Sequence, residues 1–343
     1  MTKHLDEEPG TVIQETPSEA DIWSSYWRGP RLVCSLAGTG IGYPKQLVDI
    51  WGEFFGRFPD GSRLLDVATG NGAVAIIAND TAKLLGRRFE IHASDKADID
   101  PGIHLRGTGF LTDGITFHAR TPAEQTGFPD GHFDLVTGQF ALEYTDLTLS
   151  VAEMARILKP GATARFILHM RGSEIYTQTE RQLQDIHLAM QELHILQKAR
   201  EMMQATRAFE QAGHPDESLL QAARQRREEY MHAARVIDQT VPTAVYKELF
   251  VAILRMVAYH WDNRNQVAPE HFIARVHEME AEIEMAEKRH AAMCACALDE
   301  NKIRDLQKRF EQSGFMPPSV DRLSITMAGT KGRVGWDLLA VRA

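Results

Sequence analysis

The sequence predicts an α/β protein with a parallel sheet, interrupted by a long all-helical insertion before the last two strands. Three observations carry this reading. Between residues 63 and 168 short apolar runs alternate with helical stretches. Between 173 and 312 strand patterns almost disappear. They return in "DRLSITMAG" and "GRVGWDLLAVRA", so sheet-forming sequence lies on both sides of the helical block.

Taken in order, residues 1–20 are polar and aromatic-free and read as a disordered tail. "DIWSSYW" is compatible with a helix, "SLAGTGIG" (35–42) follows no strand pattern and reads as a flexible link, and "PKQLVDIWGEFFGRF" resumes helical spacing. Residues 21–60 thus form an N-terminal helical cap. Strands are expected over 63–67, 89–94, 115–119, 133–137 and 164–168, with a helix over 147–158. The α/β domain spans 61–172 and 313–343, and the insertion 173–312. Within the insertion, Phe272, Val276, Met279, Ile283, Ala286, His290, Met293 and Ala297 recur in steps of four and three, a heptad seam.

The 343 residues are 43% hydrophobic, enough for at least one large core, and the net charge of −9 disfavours a nucleic-acid partner. The N-terminal segment lacks the pattern of a secretion signal, and no run of some 18 apolar residues could cross a bilayer. A cytoplasmic protein without membrane contact is expected. Cys34, Cys294 and Cys296 cannot form a disulfide framework. No metal is expected, since no H-E-x-x-H occurs and the pairs His290/Cys294 and His187/His194 have no evident companions.

"LLDVATGNGAVAI" (64–76) bends from a strand into a helix through two glycines. Gly70, Gly72 and Ala75 satisfy a dinucleotide-binding spacing, so the spacing alone leaves NAD open. Asp66, four residues before Gly70, argues against it: a pyrophosphate would meet a carboxylate at short range, whereas a cofactor bearing ammonium and sulfonium groups would welcome one. Asp95 closes the second strand, where a carboxylate can accept bonds from both ribose hydroxyls.

"LLDVATGNGAVAI", "EIHASDKAD", "TPAEQTGFPDGHFDLVTGQFALEY" and "EMARILKPGATARFILH", in that order, resemble the motif set of the class I S-adenosylmethionine-dependent methyltransferases. The resemblance covers 60–170 and returns over 314–343; the helical block has no counterpart in it. It implies a Rossmann-like, seven-stranded, mostly parallel sheet and S-adenosyl-L-methionine as cofactor. Asp66 and Thr69 would shape the glycine turn, with Asp66 orienting the cofactor's amino group. Gly70 and Gly72 would let the backbone approach the methionyl part. Asp95 would clasp the ribose with Lys96 beside the adenine, and Gln139 and Phe140 would line the methyl end. Pro122 stands where many relatives carry an Asp that reads the adenine amino group, so that task would fall to Ala123 and Glu124.

Methyl transfer to a heteroatom needs alignment first and a base second. Catalytic candidates beyond strands four and five are Glu143, Tyr144 and His169. Trp23, Tyr26 and Trp27 share a helical face, and either pack a core or form a lid whose aromatic faces meet the sulfonium. The function expected is methylation of an oxygen or nitrogen of a small organic molecule. The insertion would shape the acceptor pocket, form a homodimer through its seam, or both. The rival is a cofactor-binding scaffold whose helices engage a protein partner. If the N-terminal segment is a lid, deleting residues 1–30 lowers cofactor affinity in calorimetry and lowers turnover; unchanged values for both exclude it.

Overall fold

The computed structural model describes residues 18–34, 42–327 and 329–343. The tail up to residue 17 and nearly all of the glycine-rich link at 35–42 lie outside them. Ser18 to Ala20, assigned to the tail from sequence, instead open α1 (Glu19–Trp27), where Ser18 and Asp21 cap each other reciprocally.

Seven strands form one sheet: β1 (Arg63–Val67), β2 (Glu90–Ser94), β3 (Ile115–His118), β4 (Phe133–Gln139), β5 (Leu158–His169), β6 (Ser319–Met327) and β7 (Thr330–Val341). Their order is β3-β2-β1-β4-β5-β7-β6; the first five run parallel and β7 is antiparallel to both its neighbours. β5 starts six residues before the apolar pattern does. Phe133 pairs with Leu158 but Leu135 with Thr163, so the intervening "KPGA" bulges out and shows no alternation.

On one face of the sheet, α2 (Lys45–Phe55) and α3 (Ala73–Leu84) bury Leu47, Trp51, Phe55 and Ala78 against Leu64, Leu135 and Ile167. α2 is fastened there by Arg165, which bonds both carboxylate oxygens of Asp337 and stacks on Trp51 and Phe54. On the other face, α5 (Leu147–Ile157) and α11 (Glu300–Gln312) bury Val151, Ile303, Leu306 and Phe310 against Val136, Phe166 and Leu338.

α11 therefore belongs to the sheet's core, and the helical excursion is shorter at its end than the sequence boundary at 312. The chain leaves the sheet after His169 and returns at Leu298, which pairs with Met170 in an isolated parallel bridge. Between these points run α6 (Glu174–His187), a short π-type turn, α7 (Ile195–Gln211), α8 (Glu217–Thr240), α9 (Lys247–Asp262) and α10 (Pro269–Cys296). They enclose a core of their own around Ile186, Met203, Ile237 and Phe250.

The heptad seam on α10 is filled inside the chain. Phe272, Val276, Met279 and Ile283 enter the insertion's core, and Met293 and Ala297 the sheet's core. The seam expected to face a second chain thus finds partners for these residues within its own. Truncating Phe310 or Phe250 to Ala should each cost about 3–5 kcal/mol in denaturant unfolding. Because the two rings sit in different cores, the double variant should show the sum of the single effects to within about 0.5 kcal/mol.

Candidate functional site

The carboxyl ends of β1, β2 and β4 open onto a pocket at the point where the strand order reverses, between β1 and β4. The backbone here is unusual. Ala68 and Phe140, the residues just beyond Val67 and Gln139, both adopt the left-handed region (φ 47° and 54°), and both line the pocket. Such conformations in non-glycine residues concentrate where surrounding contacts hold a site in shape.

Asp66 is buried beneath this rim. Its carboxylate accepts from the Thr69 hydroxyl at 2.5 Å and the Thr137 hydroxyl at 2.9 Å, tying the turn after β1 to β4. Burial raises its pKa to about 7 against the hydrogen bonds that lower it. Thr69 lines the pocket; Asp66 stands behind it. Asp95 does line the pocket, and it accepts the N–H of Gly70 at 2.7 Å and of Ala97 at 2.8 Å, so the end of β2 grips the glycine turn.

The glycines are placed differently from what the resemblance implies. Gly70 (φ 55°) is needed because its open side is covered by Trp27: a Cβ there would fall 2.4 Å from the indole. At Gly72 (φ 88°) a Cβ would meet the Phe117 ring at 2.8 Å. Neither glycine, expected from the resemblance to face the methionyl part, is among the residues that line the pocket. The cause is α1, which folds over the turn. The fully buried Asn71 donates to the carbonyls of Trp27 and Arg31 at 3.0 and 2.7 Å, and Glu19 pairs with Lys96. No periodicity pointed to Asn71; its signal was a polar residue inside an otherwise small and apolar turn.

Trp23 and Trp27, stacked 6.2 Å apart, form one wall of the pocket, while Tyr26 points away, donates to the Val33 carbonyl and lies under Arg31 and Arg289. Lys96, Ala123 and Glu124 lie along the lining with Thr69 and Asp95. At the far end Gln139, Phe140 and Tyr144 close it, together with Tyr43, which sequence reasoning missed. The Gln139 amide oxygen accepts from the Trp51 indole N–H, which turns its Nε2 toward the Tyr43 hydroxyl in the pocket wall. A buried amide that presents a donor at a pocket wall can also serve an acceptor on a ligand. That amide, the aromatic walls and the Asp95 carboxylate suit a cofactor that carries carboxylate, sulfonium and ribose groups.

His169 and Glu143 sit behind this wall. His169 is 1% exposed, stacks on Phe140 at 4.4 Å, and burial pushes its pKa down to about 3. The imidazole expected from sequence to act as a base is thus enclosed behind Phe140 and held neutral by its burial. Glu143 accepts the backbone N–H of His169, leaves its other oxygen unpaired, and is raised by burial to about 7. Its place is therefore as a tie between the turn after β4 and the end of β5, while α5 is capped by Asp146. Tyr144, held well above its ordinary pKa by burial, keeps its phenolic proton in the pocket wall.

The crossover order, the antiparallel β7 and the site at the ends of β1, β2 and β4 define a class I methyltransferase fold. Residues 65–166 match the family model described as "Methyltransferase domain". The chain carries a class I S-adenosylmethionine-dependent methyltransferase domain, and S-adenosylmethionine is its cofactor. The "Ubiquinone/menaquinone biosynthesis C-methyltransferase UbiE" of Xanthomonas oryzae pv. oryzae is 31% identical over 180 residues, which is 49% of this chain and 63% of that protein. The protein of the same name from Stenotrophomonas maltophilia is 35% identical over 133 residues, 37% of this chain and 49% of that one. The chain thus spans less than two thirds of the length of these curated relatives. Among solved structures, the CurJ carbon methyltransferase is 10% identical with a TM-score of 0.37, covering 84% of this chain and 50% of that one.

Burial of Glu143 sets a pH dependence. Its folded-state pKa of about 7 lies above the unfolded value near 4.5, so its contribution to stability is full below pH 4.5 and is lost as pH rises through 7. Glu143→Gln, neutral at every pH, should therefore flatten the fall in stability between pH 5 and 8 and gain roughly 1–3 kcal/mol on the wild type at pH 8, read from urea midpoints.

Proposed function

We propose that the protein transfers the methyl group of S-adenosylmethionine to a small, largely apolar acceptor that is already nucleophilic in solution. The observation carrying this is the pocket's combination of aromatic walls with carboxylates that are already engaged. Asp95 is held by two backbone N–H groups and Glu124 accepts from the Asp146 N–H, while His169 and Glu143 stand behind the lining. The wall's carboxylates are thus engaged among the described residues, so the chain's contribution is alignment and exclusion of water.

When bound, S-adenosylmethionine supplies an electrophilic methyl group on sulfur. Asp95, and Asp66 through Thr69, hold the cofactor end of the pocket; Gln139 Nε2 donates to a carboxylate or carbonyl oxygen. Trp23 and Trp27 cover the site, and the Tyr144 hydroxyl orients the acceptor oxygen. An acidic phenol or enol fits: it ionises without help and is nucleophilic at oxygen and at the adjacent carbon. Oxygen or nitrogen is the attacked atom that the sequence reading favoured. Carbon is the second reading, supported by the relatives' names, which specify C-methyltransferases. A small-molecule acceptor and a cytosolic location belong to the same proposal.

Incubation with methyl-labelled S-adenosylmethionine and a panel of hydroxylated aromatic and enolic compounds tests it. Release of S-adenosylhomocysteine should rise with the ionised fraction of the acceptor, and NMR of the product distinguishes O–CH3 from C–CH3. Cofactor binding without turnover across the panel would favour the scaffold reading instead.

A further inference from the structure

We infer that Glu90, His92 and His132 form a binding site for a divalent transition-metal ion of zinc type on the β2–β3 end of the sheet, outside the methyl-transfer pocket. One ligand atom from each of the three lies within 4.8 Å of the others. Glu90 and His92 are two apart on β2 and so project from the same face, and His132 enters from the residue before β4. The ligands thus come from two separate segments, and no short spacing in the sequence reveals them.

Two further observations point to a ligand. His92 Nδ1 lies 2.9 Å from His118 Nε2 on β3, a contact that requires one shared proton. His92 Nε2 in turn lies 3.4 Å from Glu90 Oε1, an ion pair when the imidazole is protonated and two lone pairs side by side when the shared proton sits on Nδ1 of a neutral ring. That separation is close to the edge of a tetrahedron whose ligands sit about 2.0–2.1 Å from zinc, roughly 3.3 Å. His118 then has the place of the outer partner that fixes a metal-bound imidazole's tautomer. Phe128, whose ring centroid lies 5.3, 5.1 and 6.2 Å from those of His92, His118 and His132, supplies an apolar flank.

Arg63 occupies Glu90 Oε2 at 2.8 Å and leaves Oε1 for the ion. Metal bound here would staple β2 to the segment entering β4, and with them the intervening stretch that brings Ala123 and Glu124 to the pocket. The His118 carbonyl, in turn, receives the N–H of Asp95.

The test uses the full chain after chelator treatment, titrated with Zn²⁺ against a chromophoric chelator and followed by thermal melting. One equivalent should bind with micromolar or tighter affinity, and melting should rise by roughly 5 °C at a hundredfold excess over Kd. His92→Ala and, in the loop where folding is least at risk, His132→Asn should abolish that equivalent. His118→Gln should weaken it roughly tenfold, and Arg63→Gln should tighten it by removing a competing cation. Binding weaker than about 10 μM, or an equivalent that survives His132→Asn, would overturn the assignment.

Discussion

A carboxylate buried at the end of the first strand organises the catalytic half of this molecule. Asp66 has no counter-charge; it is satisfied by two hydroxyls, one from the turn that follows it and one from β4. Burying a carboxyl group is costly unless its oxygens are bonded, so these two threonines are restricted to one arrangement. That arrangement puts Thr69 in the pocket wall and opens the turn at Gly70, whose N–H Asp95 then receives. The glycine turn is thus held from below by one acid and from the side by another, and Asn71 is left free to reach outward and seize the N-terminal segment.

The site has two layers. Facing the cavity are aromatic rings, the Asp95 and Glu124 carboxylates, the Lys96 ammonium and the Gln139 amide. Behind them stand the groups that keep the front layer in place: Trp51 on Gln139, His169 against Phe140, and Glu143 across the strand ends. Burial shifts the protonation of His169 and Glu143 in this rear layer toward neutrality.

Much of the α/β architecture was legible because parallel strands buried on both faces are continuous apolar runs, and each here is followed by a turn residue or a capped helix. β5 was cut short for the opposite reason, its first residues being a bulge without pattern. Asp95, Gln139 and Phe140 could be found because their roles depend on a position at a strand end. Trp27 lying on Gly70 could not be read: the contact spans 43 positions, and an aromatic stripe on a short helix is the same whether it covers a core or a ligand. Nor could the enclosure of His169 be read, since an imidazole at a strand terminus looks the same in sequence whether it faces a cavity or stands behind its wall. The boundary at 312 failed similarly, since α11 looks like its helical predecessors and differs only in which core receives its apolar side.

The longest helix joins the two halves of the molecule. α10 spans 28 residues, roughly 42 Å, with one end embedded among the inserted helices and the other beneath the sheet. Near its lower end it packs against α1 and the turn bearing Tyr144, both of which border the cavity. Packed into a core at each end, the helix couples the two halves as one strut: any change in how the inserted helices pack is carried along its axis to the residues that border the cavity.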